Sequence, residues 1–363
     1  MFLKKFFLLL IILNIFSFKF TYALCSSSHS CILIDNESAR ILYSKNINNK
    51  QLIASTTKLM TFLVAYENGE LDDYYIVGEE VLKMYGTSIY LSIGEKVSLK
   101  DLLYGLILRS GNDASVVIAN NVGKSYEHFI ELMNNKAKEI GMRNTIFKNP
   151  HGLDEETENY STSYDMALLS RYLHTIPFYL EVASTKHYMM KTDLKTYDWY
   201  NRNKLLSLYK NTISGKNGYT PKAGKTLVSG AEKKGLSLTA VSLDDGDIYN
   251  THIKLYDYGF NTFSRYEIVN KDKFFYEDQY YGGKLYVKES FYYPVKENEV
   301  DKLNILVQII KDVDIKISNK VGNLIVYLDN EEIYREDLFL EKDDVSKSKT
   351  FFDKMLDFFK KIF

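Results

Sequence analysis

Serine and lysine one helical turn apart make a nucleophile and a base, provided the lysine is desolvated enough to lose its proton. The 363-residue chain offers that spacing at Ser55 with Lys58, and again at Ser207 with Lys210 and Ser346 with Lys349. Context separates the three. Only Ser55 opens a stretch apolar nearly all round, through Leu59, Met60, Phe62, Leu63, Val64 and Ala65, which predicts a buried helix. Lys58 would share a face with Ser55 and drop in pKa, while Ser55 would gain from the positive end of the helix dipole. The plainer reading is a capping serine followed by a snorkelling lysine.

Two further groupings are ambiguous alone. Ser110-Gly111-Asn112 breaks an apolar run and reads equally as ordinary helix capping. Lys216-Asn217-Gly218 is not singled out by pattern, since Lys-x-Gly also occurs at Lys222 and Lys320. Its stretch, "SGKNGYTPKAGKTL", carries two turn signals. Either Asn217-Gly218 is a hairpin tip, or Pro221 to Gly224 is the turn and Lys216, Asn217 and Gly218 lie on a strand.

The elements that would position these groups alternate strands with apolar helices from Ser27 to about Phe260. "CILIDNESARILYSKNINNK" reads as two strands around a turn, and "STTKLMTFLVAYENGEL" as a helix stopping at Asn68-Gly69. "SLKDLLYGLILRSGNDASVVIANNVG" reads as two helices broken at Ser110-Gly111-Asn112, and "YSTSYDMALLSRYLHT" as a capped helix. "KTLVSGA" and "LSLTAVSL" make an antiparallel meander, so the class is α/β with an antiparallel sheet rather than a doubly wound one.

From residue 263 to 345 short β-rich runs such as "LNILVQII" and "GNLIVYLDNEEIY" predict a separate all-β domain. Residues 346–363 form a linker and the segment "FFDKMLDFFKKIF", whose Phe351, Phe352, Met355, Leu356, Phe359 and Ile362 share one helical face. A basic, phenylalanine-rich terminal helix fits the membrane interface better than packing on its own domain. The first 23 residues have the layout of a secretory signal cleaved after Ala23, with an uncleaved anchor as the alternative. The chain is thus expected outside the cytoplasm, secreted and held peripherally on the outer face of the cytoplasmic membrane. The only two cysteines, Cys25 and Cys31, can pair in an oxidising exterior. A formal net charge of −1 gives no reason to expect a nucleic-acid partner, and the six histidines lack metal-ligand spacing such as HExxH.

A helix-borne Ser-x-x-Lys, an inter-helix Ser-x-Asn and a strand-borne Lys-x-Gly, in that order, resemble the constellation of penicillin-recognising serine acyl-enzymes. The likeness extends through "LIASTTKLMTFLVAYENGELDD", "FKNPHGLDEETENYSTSYDMALLSRYL", "NRNKLL", "GKNGYTPKAGKTLVSGAEKKG" and "HIKLYDYGF". Over roughly residues 30–262 these stretches resemble the D-alanyl-D-alanine carboxypeptidases, the low-molecular-mass penicillin-binding proteins. The resemblance implies a β-lactamase/transpeptidase-like domain over residues 24–262, an antiparallel sheet with a helical cluster, then the small all-β domain and the amphipathic helix.

It also implies roles. Ser55 attacks the penultimate D-alanine carbonyl of a peptidoglycan stem peptide, Lys58 takes its proton, and Ser110 relays a proton to the leaving D-alanine. Asn112 orients Lys58 and the substrate amide, and Lys216 supplies positive charge near Ser110 and the terminal carboxylate. On the same strand Gly218 completes the triplet, the N–H groups of Ser55 and Tyr219 form an oxyanion hole, and Thr220 helps hold the carboxylate. β-Lactams would be covalent inhibitors, with no metal or organic cofactor required. One departure stands out: the family's third motif is Lys-Thr-Gly, and Asn217 occupies the threonine position. A catalytically weakened penicillin- or peptidoglycan-binding protein is therefore the first alternative, and a β-lactamase the second. His151, in "NPHGLD", is read as structural before catalytic.

Overall fold

The computed structural model describes residues 24–315 and 317–341, in two units that divide between Asn261 and Thr262. The expected leader, residues 1–23, and the expected amphipathic helix after residue 346 lie outside the described residues.

The first unit is built on a five-stranded antiparallel sheet. Its strands are β1 (Ser28–Asp35), β2 (Ile41–Lys45), β3 (Thr212–Thr220), β4 (Gly224–Lys233) and β5 (Leu236–Asp245), in the order β2-β1-β5-β4-β3. The central strands are covered on both faces, which is why "CILI" and "LTAV" are apolar runs rather than alternations. Ile32, Ile34, Val228 and Val241 join the core of the helical cluster. On the opposite face lies the helix Ile248–Thr262, where a Cβ at Gly259 would meet Leu238 and Leu33 at 2.6 and 2.9 Å. Cys25 and Cys31 form a disulfide beside the start of β1.

In the cluster, α1 (Lys58–Asn68) is buried without interruption from Lys58 to Ala65, as its all-round apolar sequence predicts. Ser55 itself is not on the α-helix but on a single 3₁₀ turn, Ala54–Thr57, that leads into it. The helix α2 (Leu99–Tyr104), capped by Ser98, continues into a wider π turn, Gly105–Arg109. Ser110 ends that turn in the left-handed region at φ 64°, and α3 (Asn112–Val122) follows. Strand β3 runs unbroken through Lys216 and Thr220, and neither Asn217 nor Gly218 has a positive φ. The turn is at Pro221 to Ala223, so the strand reading of "SGKNGYTPKAGKTL" holds and the Asn-Gly hairpin does not form.

Among the described residues the second unit is all-β apart from a 3₁₀ turn at Glu297–Lys302. Strands β6 (Ser264–Val269) and β9 (Phe291–Val295) pair with each other. A five-stranded sheet takes β7 (Tyr276–Asp278), β8 (Gly283–Tyr286), β10 (Leu303–Ile309), β11 (Lys320–Leu328) and β12 (Glu331–Leu340) in the order β7-β8-β12-β11-β10. Leu285, Val321, Leu324, Val326 and Leu338 fill its core. No helix among the described residues is long and apolar enough to cross a membrane.

Candidate active site

The three motifs converge where the Ala54–Thr57 turn, the start of α3 and the free edge of β3 meet. Lys58 is fully buried, and its Nζ lies 2.7 Å from Asn112 Oδ1, 2.6 Å from the His151 carbonyl oxygen and 3.1 Å from Ser55 Oγ. Burial, reinforced by the positive charge of Lys216, holds its pKa well below the usual lysine value. Asn112 is fixed from behind: its Nδ2 donates to the Tyr85 carbonyl at 2.6 Å, which turns Oδ1 toward Lys58.

A second lysine–serine pair stands beside the first. Lys216 is 1 % exposed, and its Nζ donates to Ser110 Oγ at 3.0 Å and to the Asn217 carbonyl at 2.7 Å. Burial, then the nearby charge of Arg202, lowers its pKa to about 7. The Ser110 turn is stapled to the preceding loop, since Thr87 Oγ1 donates to the Ser110 carbonyl at 2.7 Å and Asn112 N–H to the Thr87 carbonyl at 2.8 Å. Buried Asp113 holds the same loop through Ser88 Oγ and the N–H groups of Ile89 and Leu91.

Ser55 is half-buried between fully buried neighbours. Its turn begins at Ala54 with φ 47° and is gripped by two glycines. A Cβ at Gly152 (φ 86°) would fall 1.9 Å from the Ala54 carbonyl oxygen, and one at Gly218 would fall 2.7 Å from Ser55 N. Glycine at both places lets backbone press directly on the turn that presents Ser55.

The remaining strand residues divide by face. Asn217 and Tyr219 open onto a cavity of about 590 Å³ shared with Arg109, Arg202, Lys204 and Lys225. Thr220 is buried instead: its hydroxyl donates to Asp154 at 2.5 Å and accepts from Ala223 N–H, so it closes the β3–β4 turn rather than facing that cavity. The His151 ring is also buried and accepts from Leu153 N–H, and burial followed by the Lys58 charge lowers its pKa to about 3. Its contact with Lys58 is made by the main chain, in line with a structural role for the ring.

Sequence reasoning missed three contributors. The carbonyls of His151 and Tyr85 act through backbone, and main-chain acceptors have no residue signature. Arg202 had a signal, one of two cations in the family-like "NRNKLL", but no spacing tied it to the motifs. Among the described residues, no group of three or more His, Cys, Asp or Glu side chains is placed to hold a metal ion.

Two hydrogen-bonded serine–lysine pairs at the junction of an antiparallel sheet and a helical cluster define a transpeptidase-like domain. The chain belongs to the D-alanyl-D-alanine carboxypeptidase family, whose model matches residues 21–247, and residues 263–346 match the C-terminal domain of penicillin-binding protein 5. It is 36 % identical over 229 residues to D-alanyl-D-alanine carboxypeptidase DacF of Bacillus subtilis, covering 61 % of this chain and 59 % of that one. To DacC of Escherichia coli it is 34 % identical over 260 residues, covering 67 % and 64 %. The chain thus spans less than two thirds of the length of these curated relatives. The crystal structure of DacD from Francisella tularensis superposes with a TM-score of 0.69 at 26 % identity, covering 87 % of this chain and 93 % of that one.

Proposed function

We propose that the chain is a serine-type D-Ala-D-Ala carboxypeptidase that trims peptidoglycan stem peptides through an acyl-enzyme on Ser55. The observation that carries this reading is the hydrogen-bond inventory of Lys58. A neutral amine has two N–H donors and one lone pair, and two of its neighbours, Asn112 Oδ1 and the His151 carbonyl, can only accept. Both donors are then used, and the lone pair is left for the hydroxyl of Ser55. The lowered pKa makes the neutral form available.

Ser55 Oγ attacks the carbonyl carbon of the penultimate D-alanine as its proton passes to Lys58. The oxyanion is held by the N–H groups of Ser55 and Tyr219. Ser110, hydrogen-bonded to Lys216, gives its proton to the departing amine and regains the one that Lys58 took from Ser55, the C–N bond breaks and D-alanine leaves. Water then attacks the ester, the acid is released and Ser55 recovers its proton. The substrate carboxylate is gripped from the cationic side by Lys216 and Arg202, the latter taking the part that sequence reasoning gave to Thr220. A β-lactam, which presents a carboxylate and a strained amide, stops at the acyl-enzyme.

The leader-like first 23 residues and the amphipathic, basic sequence after residue 346 support action outside the cytoplasm, with peripheral attachment to the outer face of the membrane.

The test is release of D-alanine from an N-acylated peptide ending in D-Ala-D-Ala, run beside fluorescent-penicillin labelling. The wild type should do both and Ser55→Ala neither. Labelling without D-alanine release would replace this reading with that of a binding protein, which Asn217 in the third motif favours. Rapid turnover of the β-lactam would replace it with a β-lactamase.

A further inference from the structure

Strand β10 is the outer strand of its sheet and lacks the usual devices that stop sheet edges from pairing. Its sequence, LNILVQI, holds no charge, proline or glycine, and among the described residues it pairs with β11 alone. Ile305 and Leu306 are 45 % and 49 % exposed.

The ladder fixes which backbone groups are free. Ile310 N–H donates to the Val321 carbonyl at 2.9 Å, and the register steps from Ile309 opposite Gly322 to Leu303 opposite Leu328. Antiparallel residues exchange bonds alternately. Asn304, Leu306 and Gln308 therefore bond to β11, and the N–H and C=O groups of Leu303, Ile305, Val307 and Ile309 point out from the edge.

The side chains around Leu306 read the same in both directions. Ile305 is matched by Val307, Asn304 by Gln308 and Leu303 by Ile309, over the length of the strand. We propose that a second copy of this chain pairs antiparallel with β10 about a two-fold axis through Leu306, joining two five-stranded sheets into one of ten.

In that register Ile305 meets Val307 and Leu303 meets Ile309 of the second copy, so outward-pointing groups meet outward-pointing groups. Asn304 faces Gln308 and Leu306 faces itself. Moving the axis to Ile305 or Val307 keeps the backbone bonds but sets Asn304 or Gln308 against Leu306. Only the Leu306 axis satisfies both backbone and side chains.

The experiment uses the full chain in detergent. At the axis the two Leu306 residues form a non-hydrogen-bonded pair, about 4.5 Å between Cα atoms, which is within disulfide range. Asn304 lies roughly 13 Å from its own counterpart, four residues along the strand. Under mild oxidation Leu306→Cys should give mostly covalent dimer on a non-reducing gel. Asn304→Cys should stay monomeric, and the Asn304→Cys/Gln308→Cys double variant should cross-link. Without any cysteine change, sedimentation should show a concentration-dependent dimer that Ile305→Pro weakens at least tenfold, because it removes an outward N–H only. A wild type that stays monomeric, Asn304→Cys cross-linking as readily as Leu306→Cys, or an unchanged dimer in Ile305→Pro would each overturn the proposal. Capture of a strand from another protein by an otherwise monomeric chain would do so as well.

Discussion

Gly218 passes so close to Ser55 that a Cβ on it would lie 2.7 Å from the Ser55 amide nitrogen, with Thr226 Oγ1 at 2.6 Å and Ala54 Cβ at 3.1 Å. The glycine of the third motif is therefore a spacer between the edge strand and the backbone of Ser55. Gly218→Ala must push β3 away from the turn or shift the turn itself. The expected outcome is a loss of about 1–3 kcal/mol of stability, the range for overpacking, with a larger proportional loss of penicillin acylation. Thermal melts and labelling rates on one preparation check both.

Lys58 is the second target. Lys58→Ala removes the lone pair facing Ser55 and should slow acylation by about 10²–10⁴-fold, the usual contribution of a general base. Stopped-flow acylation with a chromogenic β-lactam measures it. A reduction of less than threefold would move the base elsewhere.

Asn217 tests the departure from the family motif. It lies within a regular strand without positive φ and on the cavity side, so threonine fits the backbone at least as well. Asn217→Thr should leave the melting temperature within a few degrees and raise D-alanine release or acylation. A large drop in melting temperature would contradict the strand geometry.

The pH profile follows from two lysines with opposite requirements. In the proposed mechanism Lys58 works deprotonated, so activity should rise with pH through its lowered pKa. Lys216 works protonated in that mechanism, so activity should fall as pH rises through about 7. Arg202 is one cause of that lowering. Arg202→Gln should therefore move the alkaline limb of kcat/KM upward while raising KM for a carboxylate-bearing substrate. An unmoved limb would detach Lys216 from it.

Acid stability is set elsewhere. Burial holds His151 and His252 down to about 3 and His174 to about 4, so all three are neutral when folded and gain protons on unfolding near the usual 6.5. Their folded pKa values lie below the unfolded ones, so the unfolded chain binds more protons and stability falls as pH drops below 6.5. Each histidine contributes a slope of about 1.4 kcal/mol per pH unit in that window. Melting temperatures between pH 7 and 4.5 should fall steadily. A flat profile would show that the imidazoles are solvated.

Much of this site was legible because its chemistry sits in side chains at fixed spacing on regular elements. Ser55 and Lys58 lie before an all-round apolar helix, and Ser110 and Asn112 at a break between two. The residues that stayed hidden act by shape. Nothing in "SGN" announces that Ser110 is left-handed after a π turn, because that geometry is imposed by the packing of Thr87 and Asp113 against it. The hairpin of His187–Lys191 with Thr196–Tyr200 was missed although Tyr188, Met190, Tyr197 and Trp199 alternate along it. Likewise the commitment of Thr220 to Asp154 depends on a partner 66 residues away, which no local pattern encodes.

Ala54, at φ 47°, spends folding energy in order to aim its neighbour. An alanine in the left-handed region gives up roughly 1–2 kcal/mol that a glycine would not. Ala54→Gly would thus make a sturdier protein with a looser trigger, since glycine also frees the peptide that carries Ser55. Selection for heat resistance alone would favour that exchange and blunt the aim of Ser55 with it.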